Sequence, residues 1–193
     1  AANGNELRIS VKRESEREAL AAGYVSNTLH EHVQEGDVLE LSNPNGDFVL
    51  NSADKANVFI SAGVGITPMM AMLGQVAAHN MPKATSFIHA CRDEHSLSMS
   101  EAVAAIKQRF PQLQTYLACE TRPETDLEVQ TIGRLNLHTV GAELLPREAD
   151  YYVCGPVGFM QVQYQSLLGL GIAPEQIHME AFDTGGIAAV TAA

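Results

Sequence analysis

The stretch Val58-Phe59-Ile60-Ser61-Ala62-Gly63-Val64-Gly65-Ile66-Thr67-Pro68 decides the fold. The uninterrupted apolar run Val58–Ala62 predicts a buried strand, and two glycines follow it directly. Gly63 and Gly65 allow the backbone to approach a ligand closely. Thr67 suits the N-cap of a helix, and Pro68 suits its first position. Because the first N–H groups of a helix are unpaired and its N-terminus is positive, this turn predicts a site for an anion such as pyrophosphate.

A second turn of the same kind lies further along the chain. The strand-like run Tyr151–Cys154 leads into Gly155-Pro156-Val157-Gly158-Phe159-Met160, again with a glycine and then a proline where a helix starts. Each turn alone also fits an ordinary tight connection, since Gly63-x-Gly65-x-x-Pro68 ends in proline where the usual dinucleotide fingerprint has glycine or alanine. Two such turns on the first and fourth strands of one sheet favour a site for both halves of a dinucleotide.

From Asn57 onward, strand patterns alternate with helix patterns. Strands are predicted at Val58–Ala62, Ser86–Cys91, Thr115–Cys119, Tyr151–Cys154 and Ile177–Phe182. Helices are predicted from Pro68, after a capping box of Ser98 and Glu101, within Leu135–Leu145, and from Pro156 to about Leu168. Glu120–Arg134 reads as a charged loop. The pattern predicts an α/β fold with a doubly wound, five-stranded parallel sheet, which binds ligands at the carboxyl ends of its strands.

The first 53 residues have a different pattern. Strand-like runs at Leu7–Lys12, Val38–Leu41 and Phe48–Leu50 flank a short helical stretch, Val25–Val33. These elements are too few to close a sheet or bury a core. We therefore divide the chain into residues 1–53, the C-terminal remnant of a β-rich domain, and residues 54–193, a nucleotide-binding domain.

Composition argues against several classes of protein. Twelve Lys+Arg against 23 Asp+Glu give a net charge of −11, which disfavours binding to nucleic acid. No apolar run is long enough to span a bilayer, so we expect no membrane partner. Three cysteines are too few for the four thiolates of an iron–sulfur cluster, and they fit a reduced, cytoplasmic protein. The histidine spacings match no metal motif, so we expect no metal site.

The two turns resemble those of the ferredoxin–NADP reductase superfamily, and within it the reductase part of flavohaemoglobins. The resemblance rests on Gly63–Pro68, Cys154–Met160, His178–Phe182, Tyr24–His30 and the turn Pro44–Phe48, and it covers the chain up to Phe182. It implies a β-barrel domain that binds FAD, followed by a domain that binds NAD(P)H. It also implies that electrons pass from NAD(P)H through FAD to a haem globin that converts nitric oxide to nitrate.

The resemblance implies a role for each matched residue. The nucleotide would be held by the two turns, through Gly63, Val64, Gly65, Ile66, Thr67, Pro68, Cys154, Gly155, Pro156, Val157 and Gly158. FAD would be contacted by Val25, Ser26, Asn27, Ala181, Phe182, Asp183 and Thr184. For catalysis, Cys154 would lie beside the nicotinamide and Phe182 against the flavin, with Glu180 tuning the site. The structural alternatives are a buried Cys154, a core Phe182 and a solvated Glu180.

Two departures from the family pattern bear on FAD. The segment Arg-x-Tyr-Ser, with which these proteins grip the flavin, does not occur in the sequence. Flavohaemoglobins also often have Cys at the position of Ala181 and Gly-Pro where this chain has Asp183-Thr184-Gly185. We therefore expect a fragment of a longer polypeptide that binds FAD weakly or not at all, with the haem belonging to the missing part.

Three questions stay open from the sequence alone. Arg92, Asp93 and Glu94 follow the second strand, where the adenine ribose is usually bound; an acid there favours NADH and an arginine favours NADPH. The electron acceptor is a globin domain of the same chain or a separate ferredoxin or oxygenase. A third possibility is a non-catalytic subunit that binds nucleotide only to regulate or assemble a complex.

Overall fold

The computed structural model describes residues 7–16, 21–51, 55–79, 84–182 and 187–191. The chain forms two compact units, Ala1–Asp47 and Phe48–Ala193. The first unit contains helix α1 (Tyr24–His32), and none of its described residues lies in a strand. The second unit contains the sheet and the other helices.

The sheet of the second unit has six parallel strands: β1 (Ala56–Ala62), β2 (Thr85–Cys91), β3 (Leu113–Cys119), β4 (Thr131–Ile132), β5 (Ala149–Cys154) and β6 (Ile177–Glu180). Their order across the sheet is β4-β3-β2-β1-β5-β6. The chain therefore builds outward from β1 in one direction and then returns to add β5 on its other side. Strand order reverses between β1 and β5, the place where doubly wound sheets bind ligands.

A separate apolar core covers each face of the sheet. On one face, α2 (Ile66–Ala78) and α3 (Ser100–Arg109) pack against side chains such as Phe59, Phe87 and Tyr152. On the other face, α4 (Val157–Gly169) and the short α5 (Ala188–Thr191) pack over Ile60, Tyr151 and Val153. The helix predicted from Pro68 is present as α2, and its buried residues Met69, Met72, Leu73 and Val76 have the spacing of an apolar stripe on one helix face. Strand β1 therefore lies at the centre of the second unit, with helices packed on both of its faces.

The sheet has one strand more than the five we predicted. Strand β4 lies inside Glu120–Arg134, which we predicted to be a loop. Its two residues pair with Ala118 and Cys119 at the edge of β3. A two-residue strand has no sequence period, so only the neighbouring strand could define it.

The strands predicted at Leu7–Lys12, Val38–Leu41 and Phe48–Leu50 are absent from the structure, so that prediction was wrong. A strand is stabilised by hydrogen bonds to a neighbouring strand, and the described residues provide no partner ladder for these runs. Leu7, Ile9 and Val38 accordingly expose 64%, 64% and 92% of their surface.

The segment from Phe48 to Asn51 packs with the second unit, so the compact units divide earlier than our predicted boundary at 53/54. The Phe48 ring lies edge-on to Tyr152, with centroids 6.0 Å apart. The Asn51 backbone N–H donates to the Tyr152 hydroxyl over 2.7 Å. The assignment of the first residues to an FAD domain stays a prediction.

Several predicted helix ends also differ from the structure. Helix α2 begins at Ile66, after a 3-10 turn at Gly63–Gly65, so Thr67 is not its N-cap. Helix α3 follows Met99, whose left-handed φ of 60° replaces the predicted capping box of Ser98 and Glu101. A residue that favours the N-cap position can cap a helix only if the helix begins at that residue. Here tertiary packing determines where each helix begins.

The other predicted elements lie in the right regions of the chain but differ from the structure in type or length. Leu135–Leu145 forms two short 3-10 turns, Leu137–Thr139 and Ala142–Leu144, in place of one helix. Helix α4 begins one residue after Pro156 and is followed by Gly171 at a φ of +82°. Strand β6 stops at Glu180, which leaves Ala181 and Phe182 beyond its end.

Ser61 and His89 form a buried polar pair on neighbouring strands. They are paired in register between β1 and β2, and Ser61 Oγ lies 2.8 Å from His89 Nδ1. Ser61 is 0% exposed and His89 is 2% exposed. Burial lowers the pKa of His89 from 6.5 to about 4, because the core stabilises the imidazolium ion poorly. His89 is therefore neutral at pH 7.

We predict that His89 makes the fold less stable in mild acid. Its pKa is 6.5 when unfolded and about 4 when folded, so the unfolded chain binds more protons between these values and stability falls as pH falls through that range. The expected loss from this one residue between pH 7 and pH 5 is about 2 kcal/mol. Urea unfolding of the wild type and of His89→Asn at both pH values measures it.

The exposed His138 provides a matched control, because its side chain has no such environment. Between pH 7 and pH 5, the free energy of unfolding of His138→Asn should fall as much as that of the wild type. For His89→Asn the fall should be about 2 kcal/mol smaller. The same pH dependence in all three proteins contradicts the prediction.

Candidate nucleotide-binding site

The two glycine turns lie side by side at the carboxyl edge of the sheet. Strand β1 pairs with β5, with Ser61 opposite Cys154, so the turns that follow these strands leave the sheet as neighbours. Each turn leads directly into a helix, α2 or α4. The arrangement expected for a site that holds two halves of one ligand is therefore present at the point where strand order reverses.

The two turns interlock through their glycines. A Cβ on Gly65 would lie 2.2 Å from the carbonyl oxygen of Cys154 and 2.7 Å from the backbone nitrogen of Gly155. A Cβ on Gly155 would in turn lie 3.3 Å from both the Cβ and the nitrogen of Ala62. Gly63 has a φ of +53°, in the left-handed region that favours glycine. The close approach of the two backbones therefore requires glycine at Gly65, while a side chain at Gly155 would crowd both Ala62 and the Phe159 ring, which would lie 2.8 Å from its Cβ.

The helix ends beside these turns suit a negatively charged group. Gly65 and Pro156, the N-cap residues of α2 and α4, make no side-chain cap to their helices. The Thr67 hydroxyl donates to the carbonyl oxygen of Val64 over 3.0 Å and so does not cap α2. Neither helix has an acidic residue in its first turn. Two positive helix ends without side-chain caps thus lie at one edge, an arrangement that suits a pyrophosphate.

Cys154 and Glu180 lie opposite each other on β5 and β6. Burial, and then the charge of Glu180, raise the pKa of the Cys154 thiol to about 12. The thiol is therefore protonated at physiological pH and is a poor nucleophile. Cys154 is 0% exposed and packs in the core, as expected of a cysteine with a purely structural role. It also lies at the rim of the candidate site, so both interpretations of Cys154 stay open.

The end of β6 carries an exposed aromatic residue. Phe182 follows Ala181 just beyond Glu180 and exposes 54% of its surface, so it is not an ordinary core residue. Ala181 is partly buried and packs against the core on the α4 face. Asp183 and Thr184, which we also predicted to contact FAD, lie outside the described residues.

The candidate FAD residues of the first unit, Val25, Ser26 and Asn27, lie in α1. Ser26 Oγ accepts from the Glu14 N–H and donates to the Gly23 carbonyl, each over 3.2 Å. The Asn27 amide donates to the same two residues through their carbonyl groups, over 2.9 and 2.7 Å. Val25 is 67% exposed. These polar side chains therefore brace their own unit, and their role toward FAD stays a prediction.

The acidic residues after β2 are engaged in loop structure. The Asp93 carboxylate accepts from the Ser96 backbone N–H over 2.7 Å, and this hydrogen bond is the main reason that its pKa is lowered. Glu94 accepts from the hydroxyl of Thr125 over 2.6 Å, which likewise lowers its pKa. Glu94 thereby joins the loop after β2 to the loop after β3. The choice between NADH and NADPH stays open.

Arg134 is a cation at this edge of the sheet that was not among the predicted site residues. Arg134 follows β4, and its Nε lies 3.5 Å from Glu120 Oε1 just after β3. Its side chain is 89% exposed, so it is available to a ligand that lies along the carboxyl ends of the strands. The sequence predicts only a charged loop over Glu120–Arg134, and Arg134 reaches this edge because β4 pairs with β3.

The described part of the chain provides neither a metal site nor a membrane-spanning helix. Within it, no group of three or more His, Cys, Asp or Glu side chains is placed to hold a metal ion. None of the helices in the same ranges is both long enough and apolar enough to cross a membrane.

Comparison with known proteins agrees with this geometry. A family model described as the oxidoreductase NAD-binding domain matches residues 59–165. Over 187 residues, the chain is 50% identical to a flavohemoprotein of Chromobacterium violaceum, covering 94% of this chain and 46% of the relative. It is 41% identical to a flavohemoprotein of Bordetella pertussis, covering 95% of this chain and 46% of the relative. The chain thus spans about half the length of these curated relatives.

Solved structures show the same likeness. The flavohem-like FAD/NAD binding domain of nitric oxide dioxygenase from Vibrio cholerae has a TM-score of 0.78 and 33% identity, covering 89% of this chain and 69% of that chain. A flavohemoglobin from Malassezia yamatoensis with bound FAD and heme has a TM-score of 0.64 and 25% identity, covering 74% and 36%. With a family model matched over more than half of its length, the chain belongs to the oxidoreductase NAD-binding domain family of the ferredoxin reductase superfamily.

Proposed function

We propose that this chain is the NAD(P)H-binding part of a flavin reductase that passes electrons to a haem globin, for the conversion of nitric oxide to nitrate. The observation that carries the proposal is the interlock of Gly65 with the backbone of Cys154 and Gly155. It holds two positive helix ends at one place, and a side chain at Gly65 would fill the space between the turns. The similarity to the FAD/NAD binding domain of a nitric oxide dioxygenase suggests the reaction.

The residues at the two turns fit a pyridine dinucleotide. Backbone N–H groups at the start of α2 would hold its pyrophosphate, with Gly63 through Pro68 forming the turn. Cys154 and Gly155 would lie next to the nicotinamide, where a neutral thiol adds shape without adding charge. When bound, the nicotinamide supplies a hydride and the flavin accepts it. The contribution of the chain is to bind, to orient and to exclude water.

The described residues fit FAD less well. The polar side chains of Ser26 and Asn27 already have hydrogen-bond partners within the first unit. Phe182 is the strongest remaining candidate, because it is an exposed aromatic residue two positions after Glu180. We therefore propose that Phe182 and Glu180 contribute to the flavin contact, and that this chain alone holds FAD weakly.

The proposed partners and location follow from the relatives and the composition. The Malassezia yamatoensis flavohemoglobin contains both FAD and heme, which favours a globin as electron acceptor over a ferredoxin or an oxygenase. The net charge of −11 disfavours nucleic acid as a partner. All three cysteines are free, in keeping with a reducing compartment, so we place the protein in the cytoplasm.

Replacing Gly65 tests the nucleotide site. In Gly65→Ala, the new Cβ would lie 2.2 Å from the Cys154 oxygen, so the turns must separate. We expect the affinity for NADH and NADPH to fall at least about tenfold, because the two helix ends no longer meet. Isothermal titration calorimetry measures the affinity, and circular dichroism verifies the fold.

Two further variants sharpen that test. Gly74→Ala, in α2 with open space at its Cβ, should bind like the wild type. Gly158→Glu adds a carboxylate at an exposed position in the first turn of α4, where the Cβ also meets no neighbour, and should weaken binding by repelling phosphate. Wild-type affinity in both Gly65→Ala and Gly158→Glu refutes the site assignment.

The flavin half of the proposal has its own test. We expect the purified 193-residue chain to carry no stoichiometric yellow chromophore, and added FAD to raise NAD(P)H oxidation no further than free flavin does. NADH binding by calorimetry in the same sample verifies that the protein is intact. A stoichiometric flavin that survives purification contradicts the expectation of weak FAD binding.

A further inference from the structure

Cys91 and Cys119 lie side by side at the ends of two neighbouring parallel strands. They are the last residues of β2 and β3, and they are partners in the register of those strands. Side chains in register on adjacent parallel strands point to the same face of the sheet. The two sulfur atoms accordingly lie 2.8 Å apart. Neither cysteine belongs to the two glycine turns of the candidate nucleotide site.

Backbone hydrogen bonds hold the two cysteines at a spacing that suits a disulfide. The Cys91 carbonyl accepts from the Glu120 N–H over 3.0 Å, and the Cys119 carbonyl accepts from the Gly133 N–H over 2.7 Å. Neighbouring strands lie about 4.8 Å apart. That spacing is within the range of about 4.4–6.8 Å that separates the Cα atoms of disulfide-bonded cysteines. Because the bond itself is about 2.05 Å long, the sulfur atoms need to move only about 0.8 Å closer.

The surroundings of the pair keep its thiols reduced in the resting protein. Cys91 is 7% exposed and Cys119 is 0% exposed. Burial, and then the hydrogen bond with Cys119, raise the pKa of the Cys91 thiol to about 12. Since the thiolate is the form that attacks an oxidant, oxidation of Cys91 is slow at neutral pH. The pair therefore reacts during sustained exposure to a small oxidant and not during a brief one.

Cys154 provides an internal comparison. It is also 0% exposed, and the pKa of its thiol is likewise raised to about 12. Its partners across the sheet are Ser61 on β1 and Glu180 on β6, so neither neighbouring strand presents a thiol to it. Burial and protonation state are thus similar for Cys154 and Cys91. The difference between them is the second sulfur atom beside Cys91.

We propose that Cys91 and Cys119 are a site of oxidative modification, at which a peroxide converts the two thiols to a reversible disulfide. Cys91, the more exposed of the two, attacks the O–O bond of hydrogen peroxide and becomes a sulfenic acid, with release of one water. The Cys119 sulfur then attacks the Cys91 sulfur, the S–O bond breaks, and the hydroxyl leaves with the Cys119 proton as a second water. Two thiols and one hydrogen peroxide thus give one disulfide and two waters.

The contact between the sulfur atoms decides the product. Two electrons pass from the sulfur atoms to the peroxide, and the Cys119 sulfur is already 2.8 Å from the atom that it attacks. Disulfide formation is therefore faster than further oxidation of Cys91 to a sulfinic acid, which needs a second peroxide. The proposal concerns a site outside the glycine turns and does not depend on the proposed function.

Prolonged treatment of the folded 193-residue chain with hydrogen peroxide tests the proposal. Remaining thiols are then blocked with N-ethylmaleimide in denaturant, and the peptides are identified by mass spectrometry. We expect Cys91 linked to Cys119, Cys154 still a thiol, and recovery of all three thiols with dithiothreitol. The chain unfolded in urea, in which every thiol is accessible, verifies the oxidant. Sulfinic acid as the main product at Cys91, a disulfide that includes Cys154, or three unreacted thiols in the folded chain overturns the proposal.

Two serine variants form a matched pair. In Cys119→Ser the second thiol is absent, so prolonged peroxide treatment should convert Cys91 to a sulfinic acid that dithiothreitol does not reduce. In Cys154→Ser, a change at an equally buried cysteine, Cys91 and Cys119 should form the same disulfide as in the wild type. If Cys119→Ser does not fold, the products of the wild type and of Cys154→Ser still decide. Absence of the disulfide from Cys154→Ser overturns the proposal.

Thermal unfolding shows whether the disulfide fits the native strands. A bond between cysteines 28 positions apart reduces the conformational entropy of the unfolded chain. The Tm of the oxidised protein should therefore exceed that of the reduced protein by about 5 °C. Circular dichroism with and without dithiothreitol measures both values, and Cys119→Ser treated in the same way should show no rise. A lower Tm after oxidation shows that the bond distorts the native strands, and it overturns the proposal.

Discussion

The contact between the backbone at Gly65 and the backbone at Cys154 and Gly155 is the constraint on which the rest of the second unit depends. A Cβ at Gly65 would lie 2.2 Å from the Cys154 oxygen, so the two turns approach too closely for a side chain at that position. That approach requires β1 and β5 to be neighbours. It therefore also requires the chain to leave β1 in one direction and to return on its other side.

The apolar cores hold this contact in place. Val58, Phe59 and Ile60 at the centre of β1 are each 0% exposed, covered by α2 on one face and by α4 on the other. Burying side chains of this size contributes about 1.5–3 kcal/mol each relative to leaving them exposed. Because both helices begin at the glycine turns, the same packing that stabilises the sheet also directs their positive ends to one edge.

The protonation states of the buried groups suit a site that positions a cofactor. The Cys154 thiol has a pKa of about 12 and His89 has a pKa of about 4, so each is neutral across the physiological range. Hydride transfer between two cofactors needs alignment and the exclusion of water more than it needs a protein acid or base. The carboxylates of Asp93 and Glu94, which follow β2, serve to fix loops.

The long, regular elements could be predicted from sequence, whereas short or unpaired ones could not. The buried run Val58–Ala62 and the helical stripe of α2 carry strong periodic signals, and both were placed correctly. Strand β4 has two residues and exists only through its pairing with β3. Leu7–Lys12 has the alternation of a strand but no partner ladder among the described residues. Periodicity reports which face of a segment is apolar, and pairing depends on what lies beside it.

The sequence by itself determined the glycine turns, their order along the chain and the parallel α/β class, because these depend on local conformation and on side-chain periodicity. Only the tertiary structure decided that the glycines of one turn contact the backbone of the other. It also placed Glu94 against Thr125 and paired Ser61 with His89 in the core. These relations join residues far apart in the chain, and their distances depend on how strands and helices pack.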